Sequence, residues 1–324
     1  MRFHKFVLSG LTALAGLGMA SQAMADGRAP GSLLLYPEFD NRAGVVTVVT
    51  VTNTATDVGD VDVEFVYIGR YDNGGDVECE EFNRTVELTD NDTFTLITNV
   101  HNPQHEQGFL YVFAQGAGVG LAMAHDYLIG NVMTVDGIES FEYSVNAVSY
   151  LAGPDVENAD NHVRDLDGNE YEATAGELLV PRFLGQGLVY DSELILIGMT
   201  GAKFDTTVDF LVYNDNEEEF STEHTFYCWD RVHLLDISGI FANDFLQNFT
   251  NDDPDEILGA NHVEAGWFRF WGSSASSSLT TIYDPAVYGV LVERIGTRGV
   301  ADLPFETGTN EKGKLLPRDL LGEN

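Results

Sequence analysis

Positively charged residues are scarce in this chain. Its 324 residues include 16 Lys and Arg against 52 Asp and Glu, so the formal net charge at pH 7 is −36. A surface of this sign repels nucleic acid and anionic lipid and attracts cations or basic partners. Adaptation to salty water, calcium loading and a plainly solvated acidic surface are all compatible with it. The composition therefore argues against nucleic acid as a partner.

Cysteine is nearly absent. Cys79 and Cys228 are the two in the chain, too few for a small domain held together by disulfides, so each core must be stabilised largely by burial. The two cysteines occupy corresponding places in the repeat described below. They can form a disulfide if those places lie side by side, and otherwise they are two buried thiols.

Apolar segments long enough to cross a bilayer are lacking as well. Residues 6–20 are apolar, but this run is shorter than the roughly 20 residues that a spanning helix needs and is interrupted by glycine. It follows a short basic start and precedes Ala23-x-Ala25, the small-x-small pattern of a signal-peptidase site. We therefore predict a signal peptide over 1–25 and an exported chain that begins at Asp26. The expected location is extracellular or at the cell surface, with the periplasm as the alternative, and without membrane insertion.

Sequence motifs of known catalytic sites are also missing. The chain has no Gly-x-Ser-x-Gly, no Walker loop, no Rossmann glycine fingerprint and no Cys-x-x-Cys. Its nearest candidate is His101-Asn-Pro-Gln-His105, where Pro103 disfavours the helix that would bring both rings to one metal. With His125 these histidines could serve a metal-dependent hydrolase. The alternative is that they satisfy the turn before a core strand.

One motif occurs twice, 158 positions apart. Residues 106–113 read Glu-Gln-Gly-Phe-Leu-Tyr-Val-Phe and residues 264–271 read Glu-Ala-Gly-Trp-Phe-Arg-Phe-Trp. Large apolar side chains on both faces predict a central strand that is covered on both sides. The glycine fits a bulge or a close backbone approach. The structural residues of the motif are the glycine and the aromatic residue after it, which are Gly108 and Phe109 in the first copy and Gly266 and Trp267 in the second.

Further pairs of similar residues recur at offsets between 149 and 161. Such an arrangement indicates an internal duplication, with small insertions and deletions between the copies. The pairs are segment 32–36 with 192–196, Asn53 with Asn214, Phe65 with Phe226, Cys79 with Cys228, Asp126 with Asp284, and Gly130 with Gly289.

The pattern of short strands predicts the fold class. Residues 45–52 are almost entirely β-branched and 61–67 alternate between apolar and acidic, with turn residues between such runs. We predict an all-β protein with two tandem immunoglobulin-like β-sandwich domains related by duplication. The predicted boundaries are 26–151 for the first sandwich, 152–187 for an acidic linker, 188–300 for the second sandwich and 301–324 for an extended tail.

The segment that leads from the first of these strands into the second carries a family resemblance. Residues 49–57 read Val-Thr-Val-Thr-Asn-Thr-Ala-Thr-Asp, so a strand ends in Asn-Thr before a turn and another strand. This arrangement resembles immunoglobulin-like modules of the CARDB, or cell-adhesion-related, class of exported bacterial proteins. The resemblance implies the sandwich fold and a surface setting, and it carries no catalytic residues.

Two acidic loops are candidate calcium sites. Residues 165–170 offer side-chain oxygens from Asp165, Asp167, Asn169 and Glu170, as a hard cation requires. The glycine of an EF-hand loop is displaced here and its last acid is missing. Residues 251–256 form a second loop of the same kind. The alternative for both is a solvated acidic loop.

These observations predict a non-enzymatic structural or adhesive protein of a bacterial surface, appendage or matrix, which assembles with itself or binds other surface proteins or glycans. One alternative is a secreted carbohydrate-binding protein, and another is a secreted metal-dependent hydrolase. For carbohydrate binding, the aromatic residues that could stack on sugar rings are Trp229, Trp267, Trp271 and Tyr283.

Overall fold

Nearly every regular element of this protein is a β-strand, which confirms the predicted all-β class. The computed structural model describes residues 29–70, 79–116, 121–158, 163–187, 189–201, 203–214, 217–248 and 263–315. Within these ranges the α-helices have four to six residues. None of them is long and apolar enough to cross a membrane.

The first sandwich consists of two antiparallel sheets. Its strands are β1 (Leu33–Asp40), β2 (Val45–Asn53), β3 (Val61–Arg70), β4 (Glu80–Leu88), β5 (Thr93–Ile97), β6 (Gln107–Gln115), β7 (Leu128–Asp136), β8 (Phe141–Asn146) and β9 (Val148–Tyr150), with helix α1 (Thr98–His101) after β5. Sheet 1a has the order β4-β3-β6-β1-β9, and sheet 1b has the order β5-β2-β7-β8. Burial alternates along β2 and β8, because sheet 1b packs on sheet 1a with one face only.

The second sandwich follows a 3₁₀ turn (Val156–Asn158) and a short connecting strand, β10 (Arg164–Leu166). Sheet 2a has the order β14-β13-β16-β11-β20, with β17 on β16, and sheet 2b has the order β15-β12-β18-β19. The strands are β11 (Glu177–Leu184), β12 (Glu193–Gly198), β13 (Asp205–Asn214), β14 (Glu219–Tyr227), β15 (Trp229–His233), β16 (Ala265–Ser276), β17 (Thr281–Tyr283), β18 (Val287–Ile295), β19 (Arg298–Asp302), β20 (Phe305–Thr307) and β21 (Gly313–Leu315). Between β15 and β16 lie α2 (Leu234–Ile237), a 3₁₀ turn (Gly239–Phe241) and α3 (Asn243–Asn248).

The two sandwiches have the same strand order, as an internal duplication requires. Each five-strand path is reproduced strand for strand, from β4-β3-β6-β1-β9 to β14-β13-β16-β11-β20, and so is each four-stranded sheet. Gly130 lies opposite Val51 and Gly289 opposite Leu196, so these two glycines hold equivalent places. The predicted tandem β-sandwich fold is therefore confirmed.

Several residue pairings predicted from the sequence are wrong, because the offset between the copies is not constant. Gly108 lies opposite Phe39 and Gly266 opposite Phe183, so β1 corresponds to β11 at an offset of 144. The two strands share the pattern Leu-Leu-x-Pro-x-Phe. Segment 192–196 therefore corresponds to β2 and not to segment 32–36.

The remaining mismatches have the same origin. The segment between β15 and β16, which contains α2 and α3, is longer than the segment between β5 and β6, so the offset is smaller before it than after it. Asn53 ends β2 and Asn214 ends β13, which is the counterpart of β3. Phe226 likewise lies on β14, the counterpart of β4. Cys79 precedes β4 whereas Cys228 follows β14, so the cysteines are not equivalent.

Two predicted boundaries need correction. The acidic linker assigned to 152–187 contains β10 and β11, and β11 is an interior strand of sheet 2a. Pro181 concealed this strand in the sequence, but it lies where the register of β11 with β16 shifts, at a bulge that tolerates proline. The tail assigned to 301–324 is not a loose extension as far as Leu315. It contains the end of β19, then β20, which pairs with β11, and β21, which pairs with β10.

The two sandwiches pack through the outer face of sheet 1a and the outer face of sheet 2b. Strands β1 and β6 and strands β12 and β18 are buried on both faces along almost their whole length. β1 contacts β12, and β6 contacts β15. Strand β8, at the edge of sheet 1b, also contacts β19, at the edge of sheet 2b. Sheet 2b therefore contacts both sheets of the first sandwich, and an apolar layer lies between sheets 1a and 2b. Its side chains from sheet 2b include Ile195, Ile197, Tyr288 and Val290.

A buried carboxylate lies at the edge of this junction. β9 pairs with only the first three residues of β1, which leaves Pro37 and Glu38 accessible to the second sandwich. Trp229 Nε1 donates to the Pro37 carbonyl over 2.8 Å, and Arg231 donates to both Glu38 carboxylate oxygens at 3.0 and 2.9 Å. The Tyr143 hydroxyl also donates to Glu38. Burial raises the pKa of Glu38, and the positive charge of Arg231 opposes that rise.

A disulfide joins the sandwiches at a second point. Cys79 and Cys228 are bonded, with their Cα atoms 6.0 Å apart and 149 positions between them in sequence. Of the two alternatives that the sequence left open, the structure has the bridge. It connects the start of β4 in the first sandwich to the β14–β15 turn of the second.

Gly108 and Gly266 are both closely approached by backbone. A Cβ at Gly108 would lie 2.0 Å from the Ile68 carbonyl oxygen, and a Cβ at Gly266 would lie 2.5 Å from the Tyr213 carbonyl oxygen. We expect Gly108→Ala to lower the free energy of unfolding by about 2–3 kcal/mol, because strand backbone yields little to an added methyl group. Denaturant unfolding measures this. Gly239→Ala is the control, since nothing lies within 4 Å of that Cβ, and equal stabilities of the two variants would contradict the expectation.

Candidate functional site

The histidines considered for a metal site take separate structural roles. His101 Nδ1 lies 2.8 Å from the Tyr67 hydroxyl, and the His105 ring packs against Phe39. His125 Nε2 lies 2.9 Å from the Asn53 side-chain oxygen. Across the described ranges, no three His, Cys, Asp or Glu side chains form a group that could hold a metal ion. The hydrolase alternative stays a prediction.

His101 makes stability depend on pH. Burial, with a smaller contribution from Arg84, lowers its pKa to about 4. Between about pH 6.5, the ordinary value, and pH 4, the unfolded chain binds a proton that the folded chain does not, so stability falls as the pH falls. We expect His101→Gln to reduce this decline by about 1–2 kcal/mol. This is less than the full pKa shift would give, because the His101 ring is partly exposed and solvent screens its charge. Denaturant unfolding at pH 7 and pH 4.5 measures it, and parallel curves for both proteins would contradict it.

The loop at 165–170 uses its oxygens within the protein. Asp165 lies 3.2 Å from Lys314 Nζ, and Glu170 accepts from Arg164 at 2.7 Å. Asp167 accepts from the backbone N–H groups of the two residues that follow Gly168. The second acidic loop, 251–256, lies outside the described residues.

Calcium at the 165–170 loop stays a prediction. If the ion is bound there, chelation at fixed ionic strength should lower the melting temperature, and millimolar calcium should restore it. Unchanged melting in chelator would leave only the solvated acidic loop.

A polar cleft opens beside the junction. Its volume is about 500 Å³, and side chains of both signs line it. Arg42 and Asp40 are paired across 2.6 Å, Arg294 pairs with Glu139, and His233 Nδ1 lies 2.8 Å from Asp191. Residues of both sandwiches line the cleft, and the Arg294–Glu139 pair joins the two sandwiches there, whereas the other two pairs each lie within one sandwich.

No helix or strand of the described residues covers the outer face of sheet 1b, and that face is almost free of charge. Exposed positions alternate along its strands, and the ladders place them in rows. We call this surface the neutral face, because Glu142 at its edge is its single charged side chain. Its members are Val46, Val48, Thr50, Thr52, Thr93, Thr95, Ile97, Ile129, Asn131, Met133, Val135, Glu142, Ser144 and Asn146.

A neutral surface is unexpected on this protein, in which 21% of residues are charged and the net charge is −36. The hydroxyls of Thr50 and Thr95 lie 3.2 Å apart, and those of Thr52 and Thr93 lie 2.9 Å apart, so these threonines bond to one another across the strands. An exposed apolar patch of this kind marks an interaction surface. Its most exposed apolar side chains are Val46 (40%), Ile97 (44%), Ile129 (42%) and Met133 (39%).

The equivalent face of the second sandwich is buried in the junction. Through the ladder registers, Thr50 corresponds to Ile195 and Thr52 to Ile197, both fully buried in sheet 2b. The same place in the fold is thus a contact surface in one copy and an open surface in the other.

The outer face of sheet 2a is likewise uncovered by any helix or strand within the described ranges, and it is aromatic at its centre. Alternation along its strands leaves one set of side chains outside the core. We call this surface the tryptophan face. Its members are Glu177, Leu179, Thr207, Asp209, Leu211, Tyr213, Glu219, Ser221, Glu223, Thr225, Trp267, Arg269, Trp271, Phe305 and Thr307.

Stacking and ion pairs hold the centre of the tryptophan face in place. The Trp267 and Tyr213 rings stack with centroids 4.4 Å apart and planes 10° apart. Arg269, between the two tryptophans on β16, lies 3.3 Å from Glu177 and donates to the Tyr213 hydroxyl at 3.4 Å. These side chains are therefore positioned before any partner arrives.

In the first sandwich the counterparts of these residues are covered. Phe109 corresponds to Trp267 and Phe113 to Trp271, and both phenylalanines are 3% exposed. Arg164 of the connector lies over the Phe113 ring at 4.5 Å. The predicted structural pair Phe109 and Trp267 thus occupies one position in the fold, buried in one copy and half-exposed in the other.

The four aromatic residues considered for sugar stacking do not form one site. Trp267 and Trp271 share the tryptophan face, whereas Trp229 is buried in the junction. Tyr283 is 71% exposed on β17 at the end of sheet 2a.

Comparison with known proteins adds no family. No protein-family model matches the sequence, and no curated protein matches it. Among solved structures, a match is found with a chain of the naturally occurring empty particles, the top component, of cowpea mosaic virus. That chain is 12% identical, with 95% of this chain and 100% of that chain covered and a TM-score of 0.21. A superposition this poor carries no argument about function.

Proposed function

We propose that this is a non-enzymatic, exported structural or adhesive protein that works through contact between sheet faces. The neutral face carries the proposal. Its threonines bond among themselves and its aliphatic side chains stand in solvent on a protein of net charge −36. Charge of that size keeps molecules apart, so contact needs a surface where like charges do not meet. The neutral face meets this requirement.

Two other observations support an exported setting. Residues 1–25 have the pattern of a signal peptide. The Cys79–Cys228 disulfide is of a kind that persists in oxidising compartments.

Light scattering on the chain from Asp26 onward tests the proposal. In 1 M salt, where the Debye length is about 3 Å, the mean mass should rise with protein concentration. Thr50→Glu/Met133→Glu should remain monomeric, because it places charge in the neutral face. Val58→Glu/Ile138→Glu adds the same charge at exposed sites outside both faces and should behave as the wild type. A wild-type protein that stays monomeric at high concentration would refute self-association.

Carbohydrate binding is a second candidate, favoured by the tryptophan face. Trp267 and Trp271 lie four residues apart on one face of β16, about 13 Å along the strand. Sugar rings can stack on such aromatic faces, and carboxylates lie around them. Retardation of the protein in gels that contain soluble polysaccharides, lost in Trp271→Ala and kept in the neutral-face variant, would support this function.

A further inference from the structure

The two open faces are the counterparts of the two faces that meet inside the molecule. The outer face of sheet 1a meets the outer face of sheet 2b in the junction. By the duplication, the tryptophan face on sheet 2a corresponds to the first, and the neutral face on sheet 1b corresponds to the second. We propose that the tryptophan face of one molecule binds the neutral face of the next. This inference rests on the proposed function and names the partner as a second copy of the chain.

The internal junction shows that this fold can join these two surfaces. In it Ile195 and Ile197 of sheet 2b lie on the side where β12 contacts β1 of sheet 1a. The same pairing between molecules would set Thr50 and Thr52 against the neighbour's sheet 2a. A contact between molecules would thus repeat a contact within each molecule.

Charge restricts what can cover the tryptophan face. Around the two tryptophans stand Glu177, Asp209, Glu219 and Glu223, and Arg269 is the single base among the face's members. An acidic surface of a second copy would be repelled by them. The neutral face, with Glu142 alone at its edge, offers aliphatic side chains to the tryptophans and hydroxyl groups to the carboxylates around them. It therefore provides an uncharged surface that these carboxylates do not repel, which is rare on so acidic a protein.

The difference between the two faces decides the form of the assembly. A contact between unlike faces is heterologous, so each molecule that binds through one face leaves its other face free for the next molecule. Such a contact adds molecules one after another instead of pairing two identical patches in a dimer.

Mixing two blocked variants tests the pairing. Thr50→Glu/Met133→Glu blocks the neutral face, and Leu211→Glu/Phe305→Glu blocks the tryptophan face at a half-buried and an exposed position. Each variant alone should be monomeric by light scattering. An equimolar mixture should reach twice the monomer mass and stop, because each molecule has one working face. Unchanged circular dichroism melting shows that both variants fold, and Val58→Glu/Ile138→Glu should still form longer chains.

The outcomes separate this inference from the proposed function. Association that survives in the Leu211→Glu/Phe305→Glu variant, but not in the neutral-face variant, would show pairing of two neutral faces and would overturn the inference alone. A mixture that stays monomeric although the wild type associates would overturn it too. A monomeric wild type would overturn both proposals. If that monomer bound a polysaccharide through Trp271, the tryptophan face would be a glycan-binding surface.

Discussion

Arg231→Met should lower the free energy of unfolding by about 3–5 kcal/mol at pH 7, because the variant leaves the Glu38 carboxylate buried without its counter-charge. Glu38 has no exposed side-chain surface, and Arg231 donates to both of its oxygens. Denaturant unfolding measures the loss. Arg294→Met is the matched control. That arginine also pairs across the junction, but its partner Glu139 is 53% exposed, so a loss of about 0–1 kcal/mol is expected.

The pH dependence of this loss follows from the sign of the Glu38 shift. Burial raises its pKa in the folded protein, and removing Arg231 removes the main opposing charge. A carboxyl whose folded pKa is raised favours folding at low pH, and that contribution disappears as the pH rises through the folded pKa. The deficit should therefore shrink as the pH falls toward about 4.3, the unfolded value. Glu38→Gln/Arg231→Met should recover most of the stability at pH 7. A deficit that is the same at both pH values would contradict this account.

Removing the disulfide should have an effect of similar size. Cys79→Ala/Cys228→Ala opens a loop whose ends are 149 positions apart, and the chain-entropy model gives about 5 kcal/mol for a loop of this length. Denaturant unfolding with and without reductant measures the effect. Reductant should destabilise the wild type and leave the double variant unchanged. Two reactive thiols in the denatured, unreduced wild type would show that the bridge is absent.

Much of the fold is readable from the sequence because strand signals are local. The β-branched run at 45–52 and the repeated Glu-x-Gly-aromatic motif identify β2, β6 and β16 directly. The shared pattern Leu-Leu-x-Pro-x-Phe also records the equivalence of β1 and β11. The sequence alone does not predict β11 as a strand, because Pro181 disfavours a strand unless a bulge accommodates it, and a bulge depends on the partner strand.

The candidate surfaces were harder to foresee. The alternation of Val and Thr along β2 shows that one face of the strand is uncharged, but not whether a second sandwich covers it. In sheet 2b the equivalent face is covered, and in sheet 1b it is open. Burial of Glu38 was equally hidden, since it depends on Arg231 and Tyr143, both more than a hundred positions away in sequence. Packing between residues far apart in sequence decides whether a sheet face is covered and whether Glu38 is buried. The local sequence pattern carries no information about that packing.

The disulfide also changes how the chain would respond to tension. A pull applied between the two ends of the described chain enters the first sandwich before Cys79 and leaves the second after Cys228. The covalent bridge carries that load directly across the 149 positions between the cysteines. Strands β4 to β14 therefore lie in a loop that cannot lengthen while the bond holds. Under load the chain could lengthen only at β1 to β3 or at β15 to β21, and the segment between the two cysteines would add nothing to the extension.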